Sequence, residues 1–257
     1  MPFPQAVVSM SIIFDVNCMV GKSGAPRPDW PAASDETAAE LQRVGIDRAL
    51  AGDYVSLQVD PVDGVEHLAR QVGCAPDVLV GCPAAVPHWG GDVPGPKELL
   101  DAYLDRGWRA FRIYPRAHYF LFHPVVIGPL LEEAQARRFT VLINADQFDW
   151  PELIRVLESF GELKLVVCNE GYRNIRTIIP LLERFSELRF ETSWMQQFLM
   201  YETIVGRVGP RRLLFGTQFP TFEPGAALTQ LLRADLRDED RRRVLGENLE
   251  AMLAEAR

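Results

Sequence analysis

Cysteine is scarce in this chain, and the few that occur are widely separated. There are four in 257 residues: Cys18, Cys74, Cys82 and Cys168. No two of them form a CxxC pair, so neither a zinc ribbon nor a disulfide framework is indicated. We therefore predict that the cysteines are buried free thiols.

Long hydrophobic runs are also missing. No apolar stretch approaches the roughly 18 residues that a helix needs to cross a bilayer. The N-terminal stretch "MPFPQAVVSMSIIFDV" has neither a basic region nor a small-residue cleavage site. These absences predict a cytoplasmic protein without a membrane partner.

Positive charge is in deficit. The formal net charge is −8 at pH 7 and the isoelectric point is near 5.1. An acidic surface attracts neither nucleic acid nor an anionic membrane, so we predict no nucleic-acid partner. The clustered arginines, Arg241 to Arg243, lie among acids in "RDEDRRR", which is typical of a solvated helix face.

Several catalytic motifs are absent. The chain contains no GxSxG elbow, no GxGxxG fingerprint and no P-loop, and "WGGDVPGPK" is interpreted as a turn. Ser193 and Cys168 have no base beside them in the sequence. The sequence therefore supports neither a covalent nucleophile nor a bound nucleotide cofactor.

Short β-rich apolar runs recur along the whole chain. There are eight, at 11–16, 47–52, 77–82, 109–114, 139–144, 163–168, 188–193 and 211–216. Helical patterns lie between them, which predicts repeated βαβ units and a parallel sheet. Eight units in about 250 residues match a TIM barrel better than an open sheet. We predict an α/β protein with one (β/α)8 TIM-barrel domain over residues 1–257.

The helical segments show one apolar stripe each. The stripes consist of Ile127, Leu130, Leu131 and Ala134 in one segment and Ile175, Ile178, Ile179 and Leu182 in another. The first helix is predicted to begin with Ser34 as N-cap and to end at Gly45. Residues 53–73 are predicted as a long loop followed by a helix.

Alternation along the strands predicts which side chains face the barrel interior, because the opposite face must be apolar to contact the helices. Phe111 and Ile113 are predicted to face outwards, which turns Arg112 and Tyr114 towards the mouth. By the same reasoning Asn144, on the same face as Leu142, and Asn169, on the same face as Val167, are predicted to face inwards. The remaining side chains predicted to face inwards are Asp15, Asn17, Met19, Glu191, Ser193 and Gln218. Cys18 and Cys168 are predicted to point outwards.

The order of several motifs resembles the amidohydrolase-related branch of the metal-dependent hydrolases. The motifs are "FDVNCMVG" at 14–21, "GWRAFRIYP" at 107–115, "VLINAD" at 141–146, "LVVCNEGY" at 165–172, "LLFGTQFP" at 213–220 and "GENLEAML" at 246–253. The resemblance implies two metal-binding histidines on the first strand, one each on strands five and six, and an aspartate on strand eight. Together these would hold one or two divalent metals.

This sequence departs from that pattern at every metal position. The positions are occupied by Asn17, Met19, Asn144, Asn169 and Gln218. Three asparagines, a glutamine and a thioether form a poor zinc site, because zinc is held by thiolate, imidazole or carboxylate groups. We therefore predict no metal and no other cofactor, with the polar residues of this set binding a substrate by hydrogen bonds.

Acids and histidines that remain near the predicted mouth are the candidates for moving protons. Glu191 faces inwards, Asp146 follows strand five, and His118 lies in the loop after strand four. Glu191 has two interpretations, since it could pair with Arg112, or Arg112 could instead clamp a substrate carboxylate with help from Tyr114. Asp15 is interpreted as a hydrogen-bonding residue within the barrel.

Two hypotheses of function follow. The first is a metal-independent hydrolase or lyase acting on a small carboxylated or cyclic organic molecule. The second is a non-catalytic pseudoenzyme that binds a metabolite or a protein partner. The resemblance further suggests a homodimer.

Overall fold

The computed structural model describes residues 12–31 and 33–257. Within them the chain forms eight strands, in agreement with the eight predicted runs. They are β1 (Phe14–Val20), β2 (Arg48–Asp53), β3 (Leu79–Gly81), β4 (Ala110–Ile113), β5 (Thr140–Asn144), β6 (Lys164–Cys168), β7 (Leu188–Glu191) and β8 (Leu213–Leu214). The predicted start of the first run, at residue 11, lies outside the described residues.

Helices follow the strands in the order expected of βαβ units. They are α1 (Ser34–Arg43), α2 (Tyr54–Gln58), α3 (Pro61–Gly73), α4 (Pro96–Asp105), α5 (Pro124–Ala136), α6 (Trp150–Ser159), α7 (Ile175–Arg184), α8 (Met200–Val208), α9 (Pro224–Arg233), α10 (Asp238–Arg242) and α11 (Asn248–Ala254). A π-helical turn, Arg243–Glu247, joins the last two. Among the described residues no helix has the length and apolar character to cross a membrane.

All recorded strand pairs are parallel. They form one ladder of three strands, β1 to β3, and one of five, β4 to β8. Backbone contacts link the two ladders at both seams. Arg112 N donates to Pro83 O at 2.7 Å on one side, and Met19 N donates to Phe219 O at 2.8 Å on the other. With helices outside, this arrangement confirms the predicted (β/α)8 barrel.

The barrel has two apolar layers. The outer layer lies between strands and helices and includes Phe111, Ile113 and Val141. The inner cluster fills the barrel itself; its members are Phe14, Val16, Leu50, Cys82, Ala110, Leu142, Val166, Cys168, Leu214, Leu249 and Met252. The last two come from α11, which covers the amino ends of the strands, where Lys164 Nζ donates to Met252 O.

Side-chain alternation was predicted correctly in β4 and β5 but not in β6. Val166 and Cys168 belong to the inner cluster and Val167 to the outer one, so the predicted outward position of Cys168 is wrong. The reason is Asn169, whose φ of 59° lies in the left-handed region and redirects the chain after the strand.

Cys74 is exposed, which corrects the prediction that all four thiols are buried.

Three local predictions are also corrected. The N-cap of α1 is Ala33, because the Ser34 hydroxyl donates instead to Gln71 Oε1. Residues 53–73 form two helices, α2 and α3, whose first turns are capped by the carboxylates of Asp53 and Asp60. The Arg241 side chain is only 15% exposed, since it donates to the carbonyls at 234 and 236 rather than lying in solvent.

Candidate functional site

The carboxyl ends of the strands bring most of the predicted binding residues to one end of the barrel, which we call the mouth. Asn17 and Met19 lie on β1, Arg112 lies on β4 and Asn144 ends β5. The other members of the set follow strands: Tyr114 follows β4, Asn169 follows β6 and Gln218 follows β8. Asn17, Met19, Arg112 and Tyr114 are buried, whereas Asn144, Asn169 and Gln218 are half-buried. The half-buried amides therefore form the part of the mouth that faces outwards.

Two of the mouth amides have their carbonyl oxygens occupied by N–H donors. Asn17 Nδ2 donates to Asn169 Oδ1 at 2.8 Å, and Trp194 Nε1 donates to Gln218 Oε1 at 2.6 Å. Both acceptor residues have left-handed backbones, with φ of 59° at Asn169 and 55° at Gln218. Trp194, which the sequence analysis missed, therefore fixes the glutamine that ends the eighth strand.

The residues at the mouth do not fit the metal that the family resemblance implies. A zinc site needs imidazole, thiolate or carboxylate ligands, and calcium or magnesium sites normally include carboxylates. Across the described part of the chain, no group of three or more His, Cys, Asp or Glu side chains is placed to hold a metal ion. The oxygens of Asn169 and Gln218 moreover accept hydrogen bonds from neighbouring N–H groups.

Glu191 is fully buried but does not pair with Arg112. Its carboxylate accepts hydrogen bonds from Asn169 N at 2.8 Å, from Ser193 Oγ at 2.6 Å and from Ser193 N at 3.2 Å. Burial raises the pKa of Glu191, and these hydrogen bonds act against that rise. The ion pair with Arg112, one of the two interpretations left open by the sequence, does not form, and the carboxylate instead connects the ends of β6 and β7.

Asp15 joins β1 to the segment after β8. It accepts from Asn17 N and Thr217 N at 2.8 and 3.0 Å, and the Thr217 hydroxyl donates to its second oxygen at 2.5 Å. Burial raises the pKa of Asp15, while Thr217 and Arg112 lower it. Its hydrogen bonds lie inside the barrel, as the sequence analysis expected of this residue.

Arg112 is a buried cation without a carboxylate partner among the described residues. Its side chain is 1% exposed, Nη2 donates to Val16 O at 3.3 Å, and Nε has no hydrogen-bond partner. Two neighbours are neutral at pH 7, because burial raises the pKa of Cys82 to about 11 and also raises that of Tyr114. The guanidinium therefore contacts neutral polar groups rather than a carboxylate.

Tyr114 and Met19 cover this arginine. The Tyr114 hydroxyl lies 3.9 Å from Met19 Sδ, and a Cβ added to Gly52 would lie 2.9 Å from both Met19 Sδ and Arg112 Nε. In this conformation the guanidinium does not reach the surface of the mouth. A ligand that binds Arg112 directly must displace the flexible Met19 side chain.

His118 stacks edge-on against Tyr114, with ring centroids 5.6 Å apart. Its Nε2 lies 2.8 Å from Ser56 O. Because a carbonyl oxygen can only accept, Nε2 carries the proton, and Nδ1 keeps its lone pair, which has no partner. Burial lowers the pKa of His118, so the ring is predominantly neutral at pH 7.

Asp146 is placed differently from the other predicted proton-moving residues. It lies in the short 3₁₀ turn Ala145–Gln147 after β5, and its side chain is exposed. Its backbone carbonyl accepts from Arg116 Nη1 at 2.9 Å. The structure does not bring the Asp146 side chain into the buried cluster formed by Arg112, Tyr114 and His118.

A cavity of about 490 Å³ opens beside the ends of β7 and β8. Ser193 and Thr217, the hydroxyl partners of the two buried carboxyl groups, line it together with Phe222 and Gln230. Sequence reasoning did not identify Thr217, although it stands beside Gln218 in the "LFGTQFP" motif. The residues whose hydroxyls bind Glu191 and Asp15 therefore form part of the wall of this cavity.

Comparison with known families assigns the barrel. The model of the amidohydrolase family matches residues 25–254, and the chain belongs to that family. The curated proteins contain no match to the chain.

Solved structures agree on the fold. The 5-carboxyvanillate decarboxylase of Sphingomonas paucimobilis is 12% identical, with a TM-score of 0.73 over 95% of this chain and 99% of its own. An uncharacterised TIM-barrel protein of Bordetella bronchiseptica is 16% identical, with a TM-score of 0.70 over 95% and 98%. A dihydroxybenzoic acid decarboxylase of a Polaromonas species, solved with manganese and 2-nitroresorcinol, is 14% identical, with a TM-score of 0.66 over 95% and 96%.

Proposed function

We propose that this barrel acts without a metal on a small carboxylated, ring-containing organic molecule, as a lyase or hydrolase. The observation that carries the proposal is a set of three buried polar atoms without partners: Arg112 Nε, His118 Nδ1 and Asn144 Oδ1. They belong to β4, the loop after it, and the end of β5, which is its neighbour in the sheet. Buried polar groups are nearly always hydrogen-bonded. Of the eight exceptions among the described residues, these three belong to neighbouring elements at the mouth, which supports a ligand site there.

The chemistry of these atoms defines the ligand. Arg112 Nε is a cationic donor and suits a carboxylate, whereas Asn144 Oδ1 and His118 Nδ1 can only accept from a hydroxyl or an N–H. A hydroxylated carboxylic acid supplies both kinds of group. Two of the structural relatives act on 5-carboxyvanillate and dihydroxybenzoic acid, which are molecules of this class.

The proposed absence of a metal rests on the donor set. The set consists of amide groups and a thioether, which offer a divalent cation no negative charge. Two of the amide oxygens already accept hydrogen bonds from N–H groups. A metal lowers the pKa of bound water from about 15.7 to about 7, which is worth on the order of 12 kcal/mol. No residue at the mouth replaces that effect, which disfavours attack by hydroxide.

A base can still act on a more acidic group than water. His118 is neutral, its protonated nitrogen is fixed by Ser56 O, and Nδ1 is free to take a proton from a hydroxyl of the substrate. A phenolic hydroxyl has a pKa of about 10, far below that of water. This difference favours a lyase reaction on a hydroxylated ring over hydrolysis. In this scheme Glu191 and Asn169 shape the mouth, and Asp146 has no assigned role.

A non-catalytic binder is the second candidate. The observation that favours it is the state of the two buried carboxyl groups: Asp15 and Glu191 each accept three hydrogen bonds from the protein. Most of the acceptor positions of both groups are therefore already occupied by the protein. The mouth would then recognise its ligand through Arg112, Asn144 and His118 without reacting.

The first experiment tests binding and metal content. Thermal-shift measurements with 2,6-dihydroxybenzoate and benzoate should show stabilisation that is larger for the hydroxylated acid. Arg112→Met, which keeps most of the side-chain volume, should abolish it. An unchanged shift in that variant would refute recognition by Arg112, and near-stoichiometric zinc or manganese in elemental analysis of the purified protein would refute the metal-free proposal.

The second experiment separates enzyme from binder. His118→Gln keeps an N–H donor for Ser56 O but removes the base, so turnover of a bound acid should fall by roughly 10²–10⁴-fold while binding persists. His88→Gln is the matched control, because His88 lies in another loop at the mouth and stacks on Trp89. Full activity of His118→Gln would exclude His118 as the base, and binding without turnover in the unaltered protein would favour the pseudoenzyme.

A further inference from the structure

A second cavity, which we call the floor cavity, lies at the opposite end of the barrel from the mouth. It measures about 340 Å³, and its charged lining consists of Arg189, Arg211, Arg243, Glu247 and Glu255. Arg189 is the second residue of β7, and Arg211 lies two residues before β8. The amino ends of two strands and the π-helical turn Arg243–Glu247 therefore border this cavity.

The three arginines are incompletely neutralised. The Arg211 side chain is exposed and forms no ion pair or hydrogen bond with any described residue. Arg189 is 12% exposed, and both of its contacts, with the carbonyl and carboxylate of Glu187, use Nη1. Within the described part of the chain, Arg243 forms its ion pair with the exposed Glu239 carboxylate, at 2.8 Å. Guanidinium N–H groups consequently remain available at the cavity.

The carboxylates that line the cavity already have cationic partners. Glu255 binds Lys164 Nζ at 2.9 Å and Arg138 Nη2 at 2.8 Å. Glu247 lies 3.5 Å from Arg242 Nε. The lining residues and their ion-pair partners comprise six cations and four carboxylates: Arg138, Lys164, Arg189, Arg211, Arg242 and Arg243 against Glu187, Glu239, Glu247 and Glu255. This excess of positive charge occurs in a chain whose net charge is −8.

Burial makes the positive charge costly. Burial lowers the pKa of Arg189, and the nearby Arg138 acts in the same direction. Arg212 shows the same pattern, since burial lowers its pKa and Arg189 lowers it further. An anion placed among these side chains would relieve the repulsion.

We propose that the floor cavity binds the phosphate group of a small organic molecule. Arginine forks match the oxygens of a phosphate in pairs, and three of them converge here. Ala251 and Met252 provide an apolar part of the wall that suits the organic portion of the ligand. The volume admits a small molecule rather than a protein segment.

Isothermal titration calorimetry tests this site in the full chain, with phenyl phosphate and inorganic phosphate as probes at constant ionic strength set by chloride. Phenyl phosphate should bind more tightly than inorganic phosphate because its ring contacts Met252. Arg211→Gln should weaken binding on the order of tenfold or more, which is the effect of losing one charge-assisted hydrogen bond. Arg211 is exposed, so this variant should fold normally.

Arg176→Gln is the matched control. Arg176 is also an exposed arginine without a described partner, but it lies in the first turn of α7, at the mouth end of the barrel. Equal weakening by both variants, no binding by the unaltered chain, or phenyl phosphate binding no tighter than inorganic phosphate would each overturn the proposal. Arg112→Met, which should abolish binding at the mouth, should leave phenyl phosphate binding at the floor cavity unchanged, so the outcome is independent of the function proposed for the mouth.

Discussion

A carboxylic acid without a cationic partner is costly to bury, and this barrel buries two at the carboxyl ends of its strands. Asp15 and Glu191 both have raised pKa values because burial outweighs their hydrogen bonds. The donors are backbone N–H groups and hydroxyls, not arginine. These carboxyl groups hydrogen-bond neighbouring strands together, and their contribution to the free energy of unfolding depends on pH.

Asp15→Asn should reveal that cost. The folded protein raises the pKa of Asp15 above its ordinary value near 3.8, so the native state retains a proton that the unfolded chain has released. The contribution of Asp15 to the free energy of unfolding is then fully present below pH 3.8 and is lost as pH rises through the raised pKa. The amide introduced by the substitution cannot titrate, yet its oxygen can still accept from Asn17 N and Thr217 N. The variant should gain stability relative to the unaltered protein as pH increases.

Urea unfolding at a series of pH values between about 4 and 8 measures this effect as the slope of unfolding free energy against pH. A residual slope of the same sign should persist in the variant, because the pKa of Glu191 is also raised. Parallel curves for the two proteins would show that Asp15 has an ordinary pKa in the folded state.

At the scale of elements, the π-helical turn between α10 and α11 connects the chain end to the barrel. Phe215 N donates to Val244 O at 2.9 Å, and Phe215 O accepts from Val16 N at 2.9 Å, so the residue after β8 bonds to this turn through its amide and to β1 through its carbonyl. Gly246 lies within the turn, and a Cβ there would be 2.2 Å from Ile12 O and 3.2 Å from Phe14 N. Only glycine allows this close approach to the start of β1.

Gly246→Ala should therefore destabilise the protein by about 2–4 kcal/mol, because backbone lies on the side where the methyl group must fit. Gly206→Ala is the control: it lies inside α8 with no atom within 4 Å of an added Cβ, and it should stabilise by up to about 1 kcal/mol. Chemical denaturation measures both changes. Similar small effects of the two substitutions would show that the turn adapts to a side chain.

The sequence predicts the elements better than their ends. Eight apolar runs separated by helical stripes were enough to predict the barrel, and strict alternation correctly oriented Arg112 between Phe111 and Ile113. Alternation failed in β6 because it was extended from Asn169 back to Val167, and the left-handed backbone of Asn169 breaks the alternation between this residue and the strand. The eighth strand is shorter than its run for a related reason: Phe215 bonds to the turn at 244.

The site was predictable by position but not by contact. Counting strands placed Asn17, Asn144 and Gln218 at one mouth, whereas the partner of each side chain depends on distances that no pattern encodes. Glu191 is the clearest example, since Arg112 was only one of its possible partners, and its carboxylate instead accepts from the Ser193 hydroxyl and two backbone N–H groups. The free Nδ1 of His118 depends on Ser56 O, which is distant in sequence.

At the scale of the whole molecule, the two seams determine whether the ladders of three and five strands behave as one body. Each seam has a single β-bridge, Cys18 with Phe219 and Ala84 with Arg112, and two or more backbone hydrogen bonds. Side chains reinforce the first seam, where Asp15 binds the backbone and hydroxyl of Thr217. The second seam has no such carboxylate, but its Arg112 also donates to Val16 O on β1, across the barrel interior.

Native-state hydrogen exchange tests the closure. We expect the seam amides of Met19, Val16 and Arg112 to exchange only through global unfolding, with the same opening free energy as Val166 in the middle of the five-strand ladder. The physical reason is that opening either seam exposes the inner apolar cluster, to which all but one of the eight strands contribute buried or partly buried side chains. A seam amide that opens at lower free energy than Val166 would show that the two ladders separate before they unfold. In that case Asp15→Ala should lower the opening free energy of the first-seam amides further below that of Val166 and leave that of Arg112 N unaffected. In a closed barrel the same substitution should lower all of these opening free energies together.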